Sequence, residues 1–170
     1  MKSQLKTLRR IHLVSAVLSA ALAASGSAPS APDSTIAAGD IAVIVNPSTP
    51  VNNISLGELR AILNADRRNW NLKTPATVLM RMPGTRERRV ILEKVLRVSE
   101  TDYKRFWVGK VFRGEATNEP ASAPSLGLTL DYVSNVKGAI SFVNADQVQA
   151  RVKTLRVNGK LPGEAGYPLR

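Results

Sequence analysis

The sequence contains no cysteine, and its single histidine is His12, close to the amino terminus. Without cysteine the chain forms no disulfide and lacks the residue that anchors a lipoprotein, and thiolate catalysis is excluded. Without a second histidine, everything beyond His12 lacks an imidazole base and the commonest ligands of transition metals. These absences exclude most hydrolytic triads and zinc sites, and we expect neither a metal nor another cofactor.

The first 23 residues have the layout of a secretory signal peptide. Residues 1–10 are basic and contain no acid, residues 11–24 form an apolar stretch, and small residues allow cleavage after Ala23. The apolar stretch is too short to span a bilayer as a helix. Residues 24–39 are rich in Ala, Ser, Gly and Pro and predict a disordered leader. We therefore expect a periplasmic or secreted protein.

The chain that follows the signal peptide is basic and long enough for one domain. Cleavage leaves 147 of 170 residues and removes four of the 24 basic residues but none of the 13 acidic ones, so the net charge becomes +7. A basic surface favours anionic partners. We expect no nucleic acid, because the aromatics interleaved with Lys and Arg in residues 103–114 have helical spacing and do not form a stacking platform.

Alternating strand and helix patterns predict an α/β domain with a mostly parallel sheet. Apolar runs predict strands at residues 41–46, 76–81, 139–143 and 152–157. Apolar residues at helical spacing predict helices that begin after four capping residues: Ser55, Thr85, Ser99 and Ser125. The third helix is expected to turn five residues inward: Tyr103, Phe106, Trp107, Val111 and Phe112. Trp70 is expected to close over the core.

A candidate anion site lies at residues 80–89, MRMPGTRERR. Arg81 ends a predicted strand, and its guanidinium is a fork suited to phosphate or carboxylate. Thr85 at the N-cap leaves amides of the first helical turn facing the strand-end loop, with the positive end of the helix dipole. Gly84 has no side chain to obstruct a bound group. The pattern predicts an oxyanion pocket formed by Arg81, Gly84, Thr85 and Arg86.

The same residues also fit the start of a helix that binds nothing. Thr85 can satisfy its own helix, as N-caps commonly do. Glu87 in the first turn complements the helix dipole and would repel an incoming anion. Arg86, Arg88 and Arg89 would then form an ordinary solvated face. The residues by themselves leave both interpretations open.

Five blocks of sequence resemble, in order, one lobe of the periplasmic phosphate-binding proteins, the solute receptors of phosphate ABC transporters. The blocks are IAVIVN, SLGELRAILNADRRNW, TVLMRMPGTRER, YKRFWVGKVFRGEAT and VKGAISFV. In that family an Arg after a strand, followed by a Ser-Gly-Thr turn that opens a helix, holds the phosphate oxygens. The resemblance implies that Arg81 matches the Arg and that Thr85 falls at the Ser position. Arg86 and Glu87 stand where the family has Gly and Thr.

The resemblance implies a type 2 periplasmic-binding fold reduced to a single three-layer lobe. We expect this lobe, a mostly parallel sheet flanked by helices, at residues 40–160, followed by a C-terminal tail at residues 161–170. An open half-site forms two or three charge-assisted hydrogen bonds in water, worth about −4 kcal/mol, or about millimolar affinity.

Two hypotheses about function follow. In the first, an exported protein weakly binds phosphate or a similar oxyanion. In the second, an interaction module has lost ligand binding and docks a protein or polyanionic partner. Pairing of two copies as a homodimer to rebuild a cleft is also left open. No constellation of residues marks catalysis, so we expect no enzyme.

Overall fold

The computed structural model describes residues 39–170. The predicted signal peptide (1–23) and nearly all of the predicted leader (24–39) therefore lie outside the described residues. Within residues 39–170, no helix is both long enough and apolar enough to cross a membrane.

Strands and helices alternate along the described chain. Their order is β1 (Ile41–Val45), β2 (Asn53–Ile54), α1 (Leu56–Leu63), β3 (Asn69–Asn71), β4 (Thr74–Pro75), β5 (Thr77–Arg81), α2 (Arg86–Val90), a π-helical continuation of α2 (Ile91–Leu96), α3 (Glu100–Phe112), β6 (Ala121–Ala123), α4 (Leu126–Asn135), β7 (Ala139–Asn144), a 3-10 turn (Ala145–Gln147), β8 (Lys153–Thr154) and β9 (Arg156–Val157). The four predicted helices are present. Each begins after its predicted cap, whose side chain accepts a backbone N–H of the first turn.

The central sheet has five strands in the order β6-β5-β7-β1-β8. β5 is parallel to both β6 and β7, whereas β1 is antiparallel to both β7 and β8. Four of the five strands therefore run in the same direction, which confirms the mostly parallel sheet. The predicted strand at 152–157 is divided, because β8 pairs with β1 and β9 leaves the sheet to pair with β2.

Helices cover both faces of this sheet. Ile41, Val43 and Val45 of β1 pack with α1, α2, its π-helical continuation and α3, whereas Ala42 and Ile44 pack with α4. Successive side chains of a strand point to opposite faces, so both faces of β1 are buried and its sequence is continuously apolar. The predicted three-layer arrangement is confirmed.

Helix α3 is rotated relative to the prediction. Tyr103 and Trp107 are buried as expected, but Val111 and Phe112 are exposed, so the prediction that these two residues point inward is wrong. Lys110, on the inner face of α3, is buried instead.

Two polar contacts explain why Lys110 is buried. Its Nζ donates to Asn64 O at 2.5 Å, at the carboxyl end of α1, and pairs with Asp66 Oδ1 at 2.7 Å. An ammonium group beside helix-end carbonyls is stabilised by the helix dipole and by its carboxylate partner. These contacts fix the rotation of α3 and turn its last apolar residues to the solvent.

Residues 161–170, predicted to be a tail outside the lobe, pack against β1. Tyr167 and Leu169 are buried in the same cluster as Ile41. The N–H of Ile41 donates to Leu169 O at 2.8 Å, and the Tyr167 hydroxyl donates to Ile41 O at 2.7 Å. The segment therefore contributes to the core of the lobe.

Candidate oxyanion site

The carboxyl ends of β5, β6 and β7 meet at the edge of the sheet where the sequence predicts an anion site. Arg81 is the last residue of β5, and Asn144 is the last residue of β7. Helices α2 and α4 begin beside this edge, with Thr85 and Ser125 as their N-caps. The fold therefore brings the predicted arginine and two helix N-termini to one edge, as ligand sites of open α/β sheets require.

Arg81 points into the protein and lies against Glu87. Its Nη1 donates to Thr129 Oγ1 at 3.0 Å and to Ala123 O at 3.3 Å. Its Nε lies 3.6 Å from Glu87 Oε1. Both residues are buried, with 8% of Arg81 and 5% of Glu87 exposed. The protein's own carboxylate thus engages the guanidinium that was predicted to hold an anion.

The ion pair leaves one donor of Arg81 unsatisfied. The separation of 3.6 Å between Nε and Oε1 is too long for a hydrogen bond. Among the described residues, Arg81 Nε has no other acceptor. A buried N–H group without an acceptor costs about 1–3 kcal/mol. Although the charge of Arg81 is paired with that of Glu87, the Nε–H of Arg81 therefore remains a hydrogen-bond donor without an acceptor.

Asn144 connects Glu87 to Arg86, another predicted ligand residue. Its Nδ2 donates to Glu87 Oε1 at 3.3 Å, and its Oδ1 accepts from Arg86 Nη1 at 3.0 Å. Arg86 Nη2 also donates to Gly39 O. Arg86 therefore links the start of α2 to β7 and to the residues before β1. Asn144 is not among the residues predicted from the sequence, where its signal is a polar residue directly after the apolar run AISFV.

Thr85 and Gly84 form the turn between β5 and α2. The Thr85 hydroxyl donates to Met82 O at 2.8 Å and accepts from the N–H of Arg88 at 3.4 Å, so it serves its own turn and helix. Gly84 is exposed at φ +86°, and, apart from its two chain neighbours, no residue of the described chain has an atom within 4 Å of the position that a Cβ would take. The space beside Gly84 is open, as a bound group would need.

Arg88 is buried, so the interpretation of this residue as part of a solvated face is wrong. Its guanidinium forms two bonds to Glu100, of 2.9 Å from Nε and 2.8 Å from Nη2. It also lies 4.9 Å from the centre of the Tyr103 ring. Burial raises the pKa of Tyr103 to about 12, so the phenol is neutral at physiological pH. Because Arg88 Nη1 donates to Arg81 O at 3.2 Å, Arg88 ties the end of β5 to α3.

Comparisons with known proteins connect this fold with phosphate receptors. A family model described as a PBP superfamily domain matches residues 10–164. A protein from Clostridium perfringens, described as a phosphate ABC transporter substrate-binding protein and solved with bound phosphate, has a TM-score of 0.59 and 21% identity, with 72% of this chain and 46% of that chain covered. A comparison with curated proteins gives no match.

Two further solved structures are similar. An ABC-type phosphate transport receptor from Vibrio cholerae has a TM-score of 0.57 and 17% identity, covering 72% of this chain and 48% of that chain. PstS from Borrelia burgdorferi has a TM-score of 0.57 and 16% identity, covering 72% and 49%. The chain therefore spans about half the length of these structures. At this identity the similarity establishes the fold, and the expected resemblance to phosphate receptors is confirmed.

Proposed function

Because the chain belongs to the PBP superfamily, we propose that it is an exported, non-catalytic interaction module whose oxyanion position is closed by its own carboxylate, Glu87. The buried Arg81–Glu87 pair carries this proposal, because it lies at the edge where the ligand was expected. A protein or polyanionic partner is then the physiological ligand. The basic and apolar order of residues 1–24 supports export.

The charge of Glu87 is large enough to cancel the affinity of an open half-site. Two unit charges 4 Å apart repel by about 4 kcal/mol at an effective dielectric constant of about 20. The contacts that a single lobe makes to phosphate are worth about −4 kcal/mol. These two energies offset each other, so free phosphate gains nothing from binding while Glu87 is ionised and stays beside Arg81.

Weak oxyanion binding is the second candidate, and the unsatisfied Nε of Arg81 favours it. An oxyanion that displaces Glu87 would supply the missing acceptor. Arg81 and Arg86 would then provide charge, and Gly84 would leave room for the ligand. Thr85 would have to release a donor first, because its hydroxyl and its backbone N–H both donate to Met82 O, at 2.8 Å and 3.2 Å. The affinity expected for such a site is about millimolar.

Titration of the wild type and of Glu87→Gln with inorganic phosphate distinguishes the two candidates. Glutamine keeps the size of the side chain and an acceptor for Asn144 but removes the negative charge. We expect no saturable change of amide chemical shifts in the wild type. We expect the Gln variant to saturate at about millimolar phosphate, with a matching rise in its melting temperature.

Glu93→Gln is the matched control, since Glu93 is exposed on the π-helical continuation of α2 and its loss changes the net charge equally. This control should behave like the wild type. Saturable millimolar binding by the wild type would favour the second candidate. A micromolar constant for the wild type, or no gain in Glu87→Gln, would show that Glu87 does not close the site.

A further inference from the structure

Glu87 lies beside Arg81 without a short polar contact to it. The Nε of Arg81 is 3.6 Å from Glu87 Oε1, which is beyond hydrogen-bond distance. The Arg88–Glu100 pair, by contrast, has two hydrogen bonds of 2.9 and 2.8 Å. The electrostatic attraction between Arg81 and Glu87 is therefore not accompanied by a hydrogen bond that would fix the direction of the carboxylate.

Within residues 39–170, the one hydrogen bond to the Glu87 carboxylate comes from Asn144, the last residue of β7. Its Nδ2 donates to Glu87 Oε1 at 3.3 Å, so Asn144 and Arg81 contact the same oxygen. A hydrogen bond to a charged group is stronger than one between neutral groups. Asn144 therefore fixes where the carboxylate lies, whereas Arg81 supplies the attraction.

Three neighbours determine the orientation of the Asn144 amide. Besides the bond to Glu87, its Oδ1 accepts from Arg86 Nη1 at 3.0 Å, and its Nδ2 donates to Gln147 Oε1 at 3.3 Å. A reversed amide would place its oxygen against the oxygens of Glu87 and Gln147, and its NH2 group against the Arg86 guanidinium. The Nδ2 donor is therefore held toward Glu87 by contacts outside the ion pair.

We propose that Asn144 is a positioning residue, which keeps the carboxylate of Glu87 beside Arg81 and thereby keeps the oxyanion position closed. Arg86, which the sequence predicts as an anion ligand, then acts on the site through the amide of Asn144. The inference rests on the proposed closure of the site by Glu87. It adds the residue on which that closure depends, at the end of a different strand from Arg81.

Loss of the amide should allow Glu87 to leave Arg81. Glu87 is in the first turn of α2, where the helix dipole stabilises a carboxylate that has turned toward water. A hydrogen bond to a charged group contributes enough free energy to change an equilibrium at least about tenfold. Removal of the Asn144 side chain should therefore raise the population in which Arg81 is accessible to an anion by about that factor.

The first test needs no ligand and measures the nuclear Overhauser effect between the Arg81 Nε–H and the γ-protons of Glu87. The effect should be present in the wild type and lost in Asn144→Ala. Asn135→Ala is the matched control, because Asn135 is the last residue of α4, at the opposite end of that helix from the site, and its Nδ2 donates to Asp131 O. This control should retain the effect.

The second test is a titration with inorganic phosphate, followed at the Arg81 Nε–H resonance. Asn144→Ala should bind phosphate at least about tenfold more tightly than the limit set by the wild type. It should bind more weakly than Glu87→Gln, in which no negative charge has to be displaced. Asn144→Ser, whose hydroxyl is too short to reach Glu87, should behave in the same way and replaces Asn144→Ala if the alanine variant does not fold.

The outcomes separate this inference from the proposed function. If Glu87→Gln binds phosphate but Asn144→Ala keeps the Overhauser effect and the affinity of the wild type, the role of Asn144 is overturned and the closure by Glu87 stands. If Glu87→Gln gains no binding but Asn144→Ala loses the Overhauser effect, Asn144 positions Glu87 and the proposed closure is contradicted. A gain of binding in Asn135→Ala would show that the response is not specific to the site and would also overturn the inference.

Discussion

Arg81 Nε lies 3.6 Å from Glu87 Oε1, and both side chains are buried between β5 and the start of α2. Two opposite charges that are removed from water are each stabilised by the presence of the other. Loss of one partner leaves an uncompensated buried charge, whereas loss of both leaves none. The pair therefore governs the stability of this edge of the sheet as well as its access to anions.

Arg81→Ala should lower the free energy of unfolding by about 3–5 kcal/mol, because Glu87 would remain buried without its cation. Adding Glu87→Ala should recover part of this loss. Urea unfolding of the two single variants and the double variant, analysed as a double-mutant cycle, measures the coupling. Additive effects within about 0.5 kcal/mol would show that the two groups do not interact.

This expected instability limits what Arg81→Ala can reveal about ligands. A variant that unfolds more easily can lose its response to anions without having lost a ligand residue. Glu87→Gln is the sharper test, because it removes the repelling charge and retains the arginine.

The position of Arg81 could be predicted from the sequence, but its orientation could not. An apolar run that ends in Arg before Pro-Gly indicates a strand end, and the structure places Arg81 there. Its orientation depends on Glu87 and on Thr129, a residue of α4 that is distant in sequence. Local patterns contain no information about such a contact.

The strand β6 and the rotation of α3 were missed for similar reasons. Ala121–Ala123 has no β-branched residue, and it is a strand because it pairs with β5. The rotation of α3 follows from the buried contacts of Lys110, which a hydrophobic pattern assigns to the surface. Elements with strong periodicity and caps were predicted, and those defined by tertiary contacts were not.

Arg88→Lys should lower the free energy of unfolding by about 1–3 kcal/mol. Lysine cannot form both bonds to Glu100 or stack on the Tyr103 ring, and it would leave buried acceptors unpaired. The neighbouring Arg89→Lys is the control, because Arg89 is exposed and its change should stay within about 0.5 kcal/mol. If chemical denaturation gave similar losses of unfolding free energy in the two variants, the buried contacts of Arg88 would not contribute to stability.

Gly138→Ala should destabilise the protein by more than about 2 kcal/mol. Gly138 has φ +75°, and an added Cβ would lie 1.9 Å from Pro75 O, so the backbone must shift. Its carbonyl also accepts the Trp70 indole N–H at 2.8 Å, a contact that holds the buried tryptophan in place.

Gly84→Ala is the control for Gly138→Ala. It has a similar positive φ of +86° but open space around it, so only the backbone strain of about 1 kcal/mol remains. Thermal melts monitored by Trp fluorescence measure the loss of stability in each of the two variants. Equal losses of stability in the two variants would show that the backbone moves away from Pro75 O without a cost in free energy.

The capping box of α1 predicts a pH-dependent part of the stability. The N–H of Ser55 donates to Glu58 Oε2 at 3.0 Å, and this bond lowers the pKa of Glu58. A hydrogen bond from the Ser55 hydroxyl to the same oxygen lowers the pKa by a smaller amount. A carboxyl group with a lowered folded-state pKa stabilises the fold above its unfolded value of 4.5, and the stabilisation is lost as the pH falls through the folded pKa. The difference in unfolding free energy between wild type and Glu58→Gln should therefore be constant near pH 7 and shrink below about pH 4.5.

Ser55→Ala separates the hydroxyl cap from this ionisation. It removes the acceptor of the Glu58 N–H, 3.2 Å away, and should cost about 1 kcal/mol at neutral pH. The backbone N–H of residue 55 still reaches the carboxylate, so NMR titration should show the pKa of Glu58 rising only part of the way to its ordinary value. A full return to that value would assign the lowered pKa to the hydroxyl, and an unchanged pKa would assign it to the backbone bond and to Arg67, whose Nη1 donates to Glu58 Oε1 at 2.9 Å.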